Sequence, residues 1–207
     1  MAITYPRALP CGVIASSFRI SQGISTNRLN GGITQVRQFA EPRWTAEFTY
    51  AGMMRRKHQE IEAWIDSLRG GLFDFYAHDP LKPYPVMYPK GVVSYPSGFI
   101  GNASVTSVGT NSIGVSGSVS YSLKVGDHVG LVEGAKRGLF RIVEDFTGAS
   151  GTLNVEPRII AGQFTTGAFA QYNSPVCTMT IDISSLSASR TARTPSPISF
   201  AAIQKVY

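Results

Sequence analysis

RWTAEFTYAGMMRRKHQEIEAWIDSLRGGLFDFYAHDP, residues Arg43 to Pro80, decides the fold, because it sets one amphipathic helix between two aromatic strands. Trp44, Ala46, Phe48 and Tyr50 alternate with Arg43, Thr45, Glu47 and Thr49, the two-residue period of a strand with one buried face. Ile61, Trp64, Ile65 and Leu68 then recur at helical spacing, and Met54 extends that stripe upstream. Arg55, Arg56, Lys57, Gln59, Glu60, Glu62 and Asp66 stay off the stripe, so one helix face is core and the other wet. Gly70 and Gly71 end the helix, since glycine reaches positive φ without a Cβ clash, and a strand over Leu72 to Ala77 follows.

Outward from this unit, the N-terminal flank offers two strands. In Gly12 to Ile20, Ile14, Phe18 and Ile20 are expected on one face, and Ile33 to Phe39 is a weaker candidate. Asn30, Gly31 and Gly32 supply the turn between them. On the other side, HDPLKPYPVMYPKG carries four prolines in fourteen residues and reads as an extended connector. Residues 91–172 change texture. They are rich in Gly, Ser and Val, with turns expected at Gly98, Gly109, Gly117, Gly126, Gly138 and Gly148, the pattern of a small sandwich or barrel. The clearest strands there are Asp127 to Val132, Gly138 to Phe146 and Gly151 to Pro157, with Gly126 and Asp127 bending the chain and Val129 and Leu131 facing inward. From Cys177 the alternation returns, Cys177, Met179, Ile181 and Ile183 against Thr178, Thr180 and Asp182, and a last strand spans Ile198 to Tyr207. That strand needs sheet partners. The expected organisation is therefore a discontinuous domain, residues 1–90 with 173–207, carrying residues 91–172 as an inserted peripheral β domain.

Charge is low, and the excess of +6 belongs to the ends: residues 1–90 hold eleven Lys or Arg against seven Asp or Glu, and residues 173–207 three against one. No basic run with interleaved aromatics points to nucleic-acid binding. No stretch has the length of a signal peptide core or membrane span, which points to a soluble protein made in the cytoplasm without membrane partners. Cys11 and Cys177 read as reduced thiols in packing roles.

Chemistry is sparse. His58, His78 and His128 have no metal-ligand spacing, and His78-Asp79-Pro80 reads as a strand-ending turn organised by Asp79. No Walker loop, dinucleotide fingerprint or nucleophile elbow is present, and GVSGS at Gly114 to Ser118 lacks a following helix. Glu144 and Asp145 are adjacent and point to opposite faces of a strand. The expectation is a non-enzyme with no cofactor and no metal. Tyr84, Tyr88, Tyr95 and Phe99 cluster around the connector, where they could seal the junction between domains, contact a subunit or stack on a glycan.

The layout resembles the distal tail proteins of long-tailed phages and related gene transfer agents. The pieces that carry the resemblance are the RWTAEFTY strand, the helix ending SLRGGLFDFYAHDP, VGDHV and GTLNVEP in the insertion, and the terminal ISFAAIQKVY. It implies a mainly β fold, a tail-tube-like β-sandwich with one flanking α-helix plus the inserted small β-sandwich or barrel. It also implies a virion protein at the tail tip, a homo-oligomeric ring of six joining the tail tube protein to hub or fibre proteins, with DNA passing unbound through the lumen. Arg55, Arg56, Lys57, Asn27, Arg28, Arg190 and Arg193 are the candidate subunit or ring contacts. Loops at Ser21 to Gly32 and Ser184 to Pro197 are the expected axial contacts, and most of the basic side chains should avoid the lumen. Rival readings are a tail tube or tail-terminator subunit, which the insertion disfavours, and a virion carbohydrate-binding module built on residues 91–172.

Overall fold

The computed structural model of the chain describes residues 4–28, 34–50, 55–190 and 195–206. It is mainly β. Strands β1 (Arg7–Ala8), β2 (Val13–Arg28), β3 (Thr34–Tyr50), β4 (Phe75–Ala77), β11 (Cys177–Arg190) and β12 (Pro195–Gln204) form one sheet in the order β1-β4-β11-β12-β3-β2. Strands β5 (Asn102–Val108), β6 (Ser112–Leu123), β7 (His128–Glu133), β8 (Lys136–Ile142), β9 (Phe146–Glu156) and β10 (Phe169–Gln171) close into a barrel in the order β10-β5-β6-β9-β8-β7. Helix α1 (Arg55–Ser67) lies on one face of the sheet.

The sheet core follows from the alternation in β3. Trp44, Ala46, Phe48 and Tyr50 are all buried, and β12 answers in register, with Ile198 opposite Tyr50, Phe200 opposite Phe48 and Ala202 opposite Ala46. Helix α1 covers this face with Ile61, Trp64 and Ile65, followed by Leu68. Trp64 meets Phe75 edge-on at 5.1 Å and lies 6.0 Å from Phe200. Each such side chain stabilises the fold by about 1.5–3 kcal/mol through removal of apolar area from water. His58 joins the buried face, and its Nδ1 lies 3.4 Å from Glu62 Oε2. The helix stops as expected, with Gly70 and Gly71 at φ +68° and +97°, while the Leu68 carbonyl accepts from Gly71 N and Phe73 N. The following strand starts later than expected, at Phe75, because Leu72 is exposed in the turn. Met54, and Asn30 to Gly32, lie outside the described residues.

Several expectations are corrected. Ile14 points to solvent while Val13, Phe18 and Ile20 pack on the core, because a register shift between Val13 and Ala15 interrupts the alternation. Ser21 to Arg28 and Ser184 to Arg190 are not loops but continuations of β2 and β11. Gly117, Gly138 and Gly148 sit inside β6, β8 and β9. The reason at Gly138 is close approach of an aromatic ring, since a Cβ there would lie 2.8 Å from Phe164. Gly126, at φ +93°, and Asp127 do form the bend into β7. Asp127 accepts from Lys124 N at 2.8 Å and Val86 N at 2.9 Å, and Val129 and Leu131 point into the barrel core.

Candidate functional site

Past the sheet body, β2 and β3 continue as a two-stranded arm. β12 pairs with β3 from Tyr50 only as far as Thr45, whereas β2 pairs with β3 out to Arg28 opposite Thr34. Residues 24–28 and 34–40 are all exposed, including Ile24, Val36 and Phe39 at 48%, 63% and 71%. A ribbon of two strands without a hydrophobic partner is at best marginal in water, and this one leaves three large apolar side chains exposed. Register shifts bracket its root at Gly23, which faces Ala40 so closely that a Cβ on Gly23 would lie 2.5 Å from the Ala40 Cβ. Asn27 and Arg28 stand exposed near its far end with Arg37, and residues 4–28 and 34–40 hold no acidic side chain.

At the opposite end of the sheet, β11 and β12 continue past Tyr50 to the pair Arg190–Pro195. Arg190 therefore ends the second hairpin, and Arg193 lies outside the described residues. Both lateral sides of the sheet carry open edge. Among the described residues β2 has one ladder partner, β3, along its 16 residues. β4 covers β11 only from Cys177 to Met179. The turn at Gly71 then comes close to the Ile181 carbonyl, and beyond it the outer edge of β11 has no strand partner among the described residues.

The sheet face turned away from α1 is largely polar. Ser17, Arg19, Ser21, Thr45, Glu47 and Asp182, with Ala201 and Ile203 beside them, line a trough of about 440 Å³ on it. Arg19 and Glu47 pair across it at 3.5 Å, and Asp182 Oδ1 accepts from Ser184 N at 3.0 Å and Ser184 Oγ at 2.6 Å. Arg55, Arg56 and Lys57 are exposed on α1, on the other side of the sheet. Glu60 draws in Arg56 at 3.2 Å and Lys57 at 3.1 Å, and the Lys57 hydrogen bond is the main reason the Glu60 carboxyl lies below its ordinary range. Asn27 and Arg28, by contrast, stand near the far end of the β2–β3 arm.

The four connector aromatics divide differently from the expectation. Tyr88, Tyr95 and Phe99 are buried in the barrel core, where Tyr95 contacts Tyr88 and Phe99 edge-on and Phe99 stacks on Tyr121 at 4.4 Å. Tyr88 Oη accepts from Ser122 N at 2.8 Å. They fill the barrel, so neither a domain seal nor a glycan platform is built from them. Tyr84 is exposed, its ring packed over Gly91. The contact between sheet and barrel is made instead by residues the sequence did not single out as a group. Trp44 Nε1 donates to the Leu139 carbonyl at 2.6 Å, the Arg141 guanidinium lies 5.0 Å from the Trp44 ring, and the His128 ring meets it edge-on at 5.3 Å. Arg158 forms a bidentate pair with Glu41 at the arm's root. A leucine between outward-pointing Arg137 and Arg141 in KRGLFRI was the available signal.

Asp79 organises its turn as expected, its Oδ1 accepting from Leu81 N at 3.0 Å. Burial lowers the neighbouring His78 below its ordinary pKa, partly offset by Asp79. Cys177 is buried, with its Sγ 3.7 Å from the Ala77 carbonyl, whereas Cys11 is exposed and has no packing role. Among the described residues no three His, Cys, Asp or Glu side chains converge on a metal-sized site. No protein-family model matches the chain, and no curated protein matches it in sequence.

Proposed function

We propose that this chain is a structural virion protein, a distal tail protein whose copies form a ring, six by family resemblance, joining the tail tube to the hub or fibre proteins. The observation that carries the proposal is the pair of open edges. Along the run β11-β12-β3-β2 neighbouring strands are antiparallel, so β11 and β2 run in opposite directions. When identical copies stand around an axis, β2 of one meets β11 of the next as an antiparallel pair. The ladder continues from copy to copy, and each open edge is satisfied by the other. Such a head-to-tail contact is heterologous, and it closes into a ring when the rotation per copy divides the circle.

In that ring the polar face with the Arg19–Glu47 pair turns to the lumen and α1 turns outward, which completes the tube-like fold. The lumen would then carry a cation already neutralised by its own carboxylate, a surface suited to passing DNA without holding it. Arg55, Arg56 and Lys57 face outward, and the arm and the β11–β12 hairpin reach toward axial neighbours on opposite sides. The barrel favours an adaptor over a plain tube or terminator subunit, and the burial of Tyr88, Tyr95 and Phe99 leaves a carbohydrate module on residues 91–172 fewer exposed rings to stack on. Native mass measurement and negative-stain imaging of the purified protein test the proposal. A closed ring with a central hole supports it, and a monomer at all concentrations, absent from tail tips, refutes it.

A further inference from the structure

The contact between sheet and barrel combines features that a permanently closed interface has no need of. Alternation along β8 sends Phe140 and Ile142 into the barrel and Leu139 into the core of the sheet, with Arg141 over Trp44. His128, opposite Arg141 on β7, is buried against Trp44, and neither of its ring nitrogens has a hydrogen-bond partner among the described residues. The buried Nε of Arg141 has none either. The charged groups facing His128 are Arg141 from β8 and Lys82 from the connector, both cations, while β3 presents the uncharged Trp44 ring. The adjacent Asp127 carboxylate is committed to the amides of Val86 and Lys124. At the arm's root Arg158 pairs with Glu41, the one ion pair across the joint among the described residues.

We propose that this joint is an acid-opened hinge: a proton taken up by His128, which has two cations beside it and no acceptor, and a proton taken up by Glu41, which releases Arg158, together part β7 and β8 from Trp44 while sheet and barrel each stay folded. The hinge belongs to the single chain and is independent of whether rings form.

The direction follows from linkage. Burial, with smaller contributions from Arg141 and Lys82, lowers His128 from 6.5 to about 3 in the closed joint, and an opened joint returns the ring to water. A proton therefore binds the open form more readily. The closed form is fully favoured above about pH 6.5 and loses ground as pH falls toward 3, by a factor of about 30 at pH 5. Glu41 acts in the same sense. Its hydrogen bond from Arg158, with a smaller contribution from Arg43 on the same strand, holds its carboxyl below the ordinary range, so the pair is intact at neutral pH and is lost as pH falls through that lowered value.

The chain has two tryptophans, Trp44 in the joint and Trp64 on the buried face of α1, so 5-fluorotryptophan labelling of the full-length protein gives one fluorine resonance for each. Between pH 7.5 and 3.5, where proton uptake by His128 favours the open form several hundred-fold, the Trp44 resonance is expected to acquire a solvent isotope shift, while the Trp64 resonance and the far-ultraviolet circular dichroism hold. His128→Gln, which cannot protonate, should lower the midpoint by at least about one pH unit. A Trp44 that stays shielded throughout, both resonances moving together with loss of the dichroism, or a midpoint unchanged in His128→Gln would each overturn the hinge. Should His128→Gln fail to fold, the exposed change Glu41→Gln serves instead: a raised midpoint supports the hinge and an unchanged one overturns it.

Discussion

Leu139 belongs to the barrel in sequence and to the sheet in packing, and its truncation measures how far the two depend on each other. Its side chain is fully buried among residues of the sheet core. Leu139→Ala leaves the backbone carbonyl, and with it the bond from Trp44 Nε1, in place. What is lost is the transfer free energy of the removed carbons plus the cost of the cavity they leave, about 3–5 kcal/mol where surrounding strands cannot collapse. For a chain of this size that corresponds to a fall in melting temperature of roughly 6–20 °C. Urea unfolding followed by tryptophan fluorescence and circular dichroism should show the midpoint falling with the slope unchanged. Leu72→Ala, on an exposed turn residue, should stay within about 0.5 kcal/mol and serves as the control. A loss below 1 kcal/mol for Leu139→Ala, or a loss confined to a separate barrel transition, would refute the assignment of Leu139 to the core of the sheet.

Gly138→Ala should cost about 1–3 kcal/mol by overpacking against Phe164, seen as a lower urea midpoint, and adding Phe164→Leu should recover part of it. The double change Val36→Asp and Phe39→Asp on the exposed arm should leave the monomer's melting temperature within a few degrees while reducing ring yield in native mass spectra; rings of undiminished yield would exclude the arm from assembly. An aromatic disulfide reagent should titrate one thiol per folded chain, Cys11, and two in denaturant, because burial excludes the reagent from Cys177 and raises its thiol pKa.

Where the sequence carried a strong period, the structure was legible from it. The alternation from Trp44 to Tyr50, the Ile61–Trp64–Ile65–Leu68 stripe and the glycine pair at 70 and 71 each have one physical solution, and each is realised. The arm was only partly legible: the weak strand expected up to Phe39 is realised as the outer part of β3, but residues 34–40 are exposed on both faces and give little two-residue contrast, and Ser21 to Arg28, almost as exposed, read as a loop. Ile14 was misplaced because a bulge breaks the period without leaving a mark in residue type. The connector aromatics were misassigned because prolines erase periodicity, and nothing local distinguishes a tyrosine that plugs a barrel from one that seals a junction. Of the candidate contacts, Asn27, Arg28 and Arg190 fall on the two hairpins, whereas Arg55, Arg56 and Lys57 belong to a different face.

The position of β12 bears on how the chain acquires its shape. It is the last strand of the sheet to be synthesised, yet it lies in the middle, between β11 and β3, and the Gln204 side chain accepts from the Trp44 amide across 160 residues of sequence. On the ribosome, β2, β3 and α1 must wait with their aromatic face uncovered until Pro195 to Gln204 emerges. The barrel strands, by contrast, lie in one unbroken stretch from Asn102 to Gln171 and can close as soon as that stretch is out. The later-made body can thus fold before the earlier-made one is finished. A docked barrel supplying Leu139 would shield part of the waiting hydrophobic surface from aggregation during that interval.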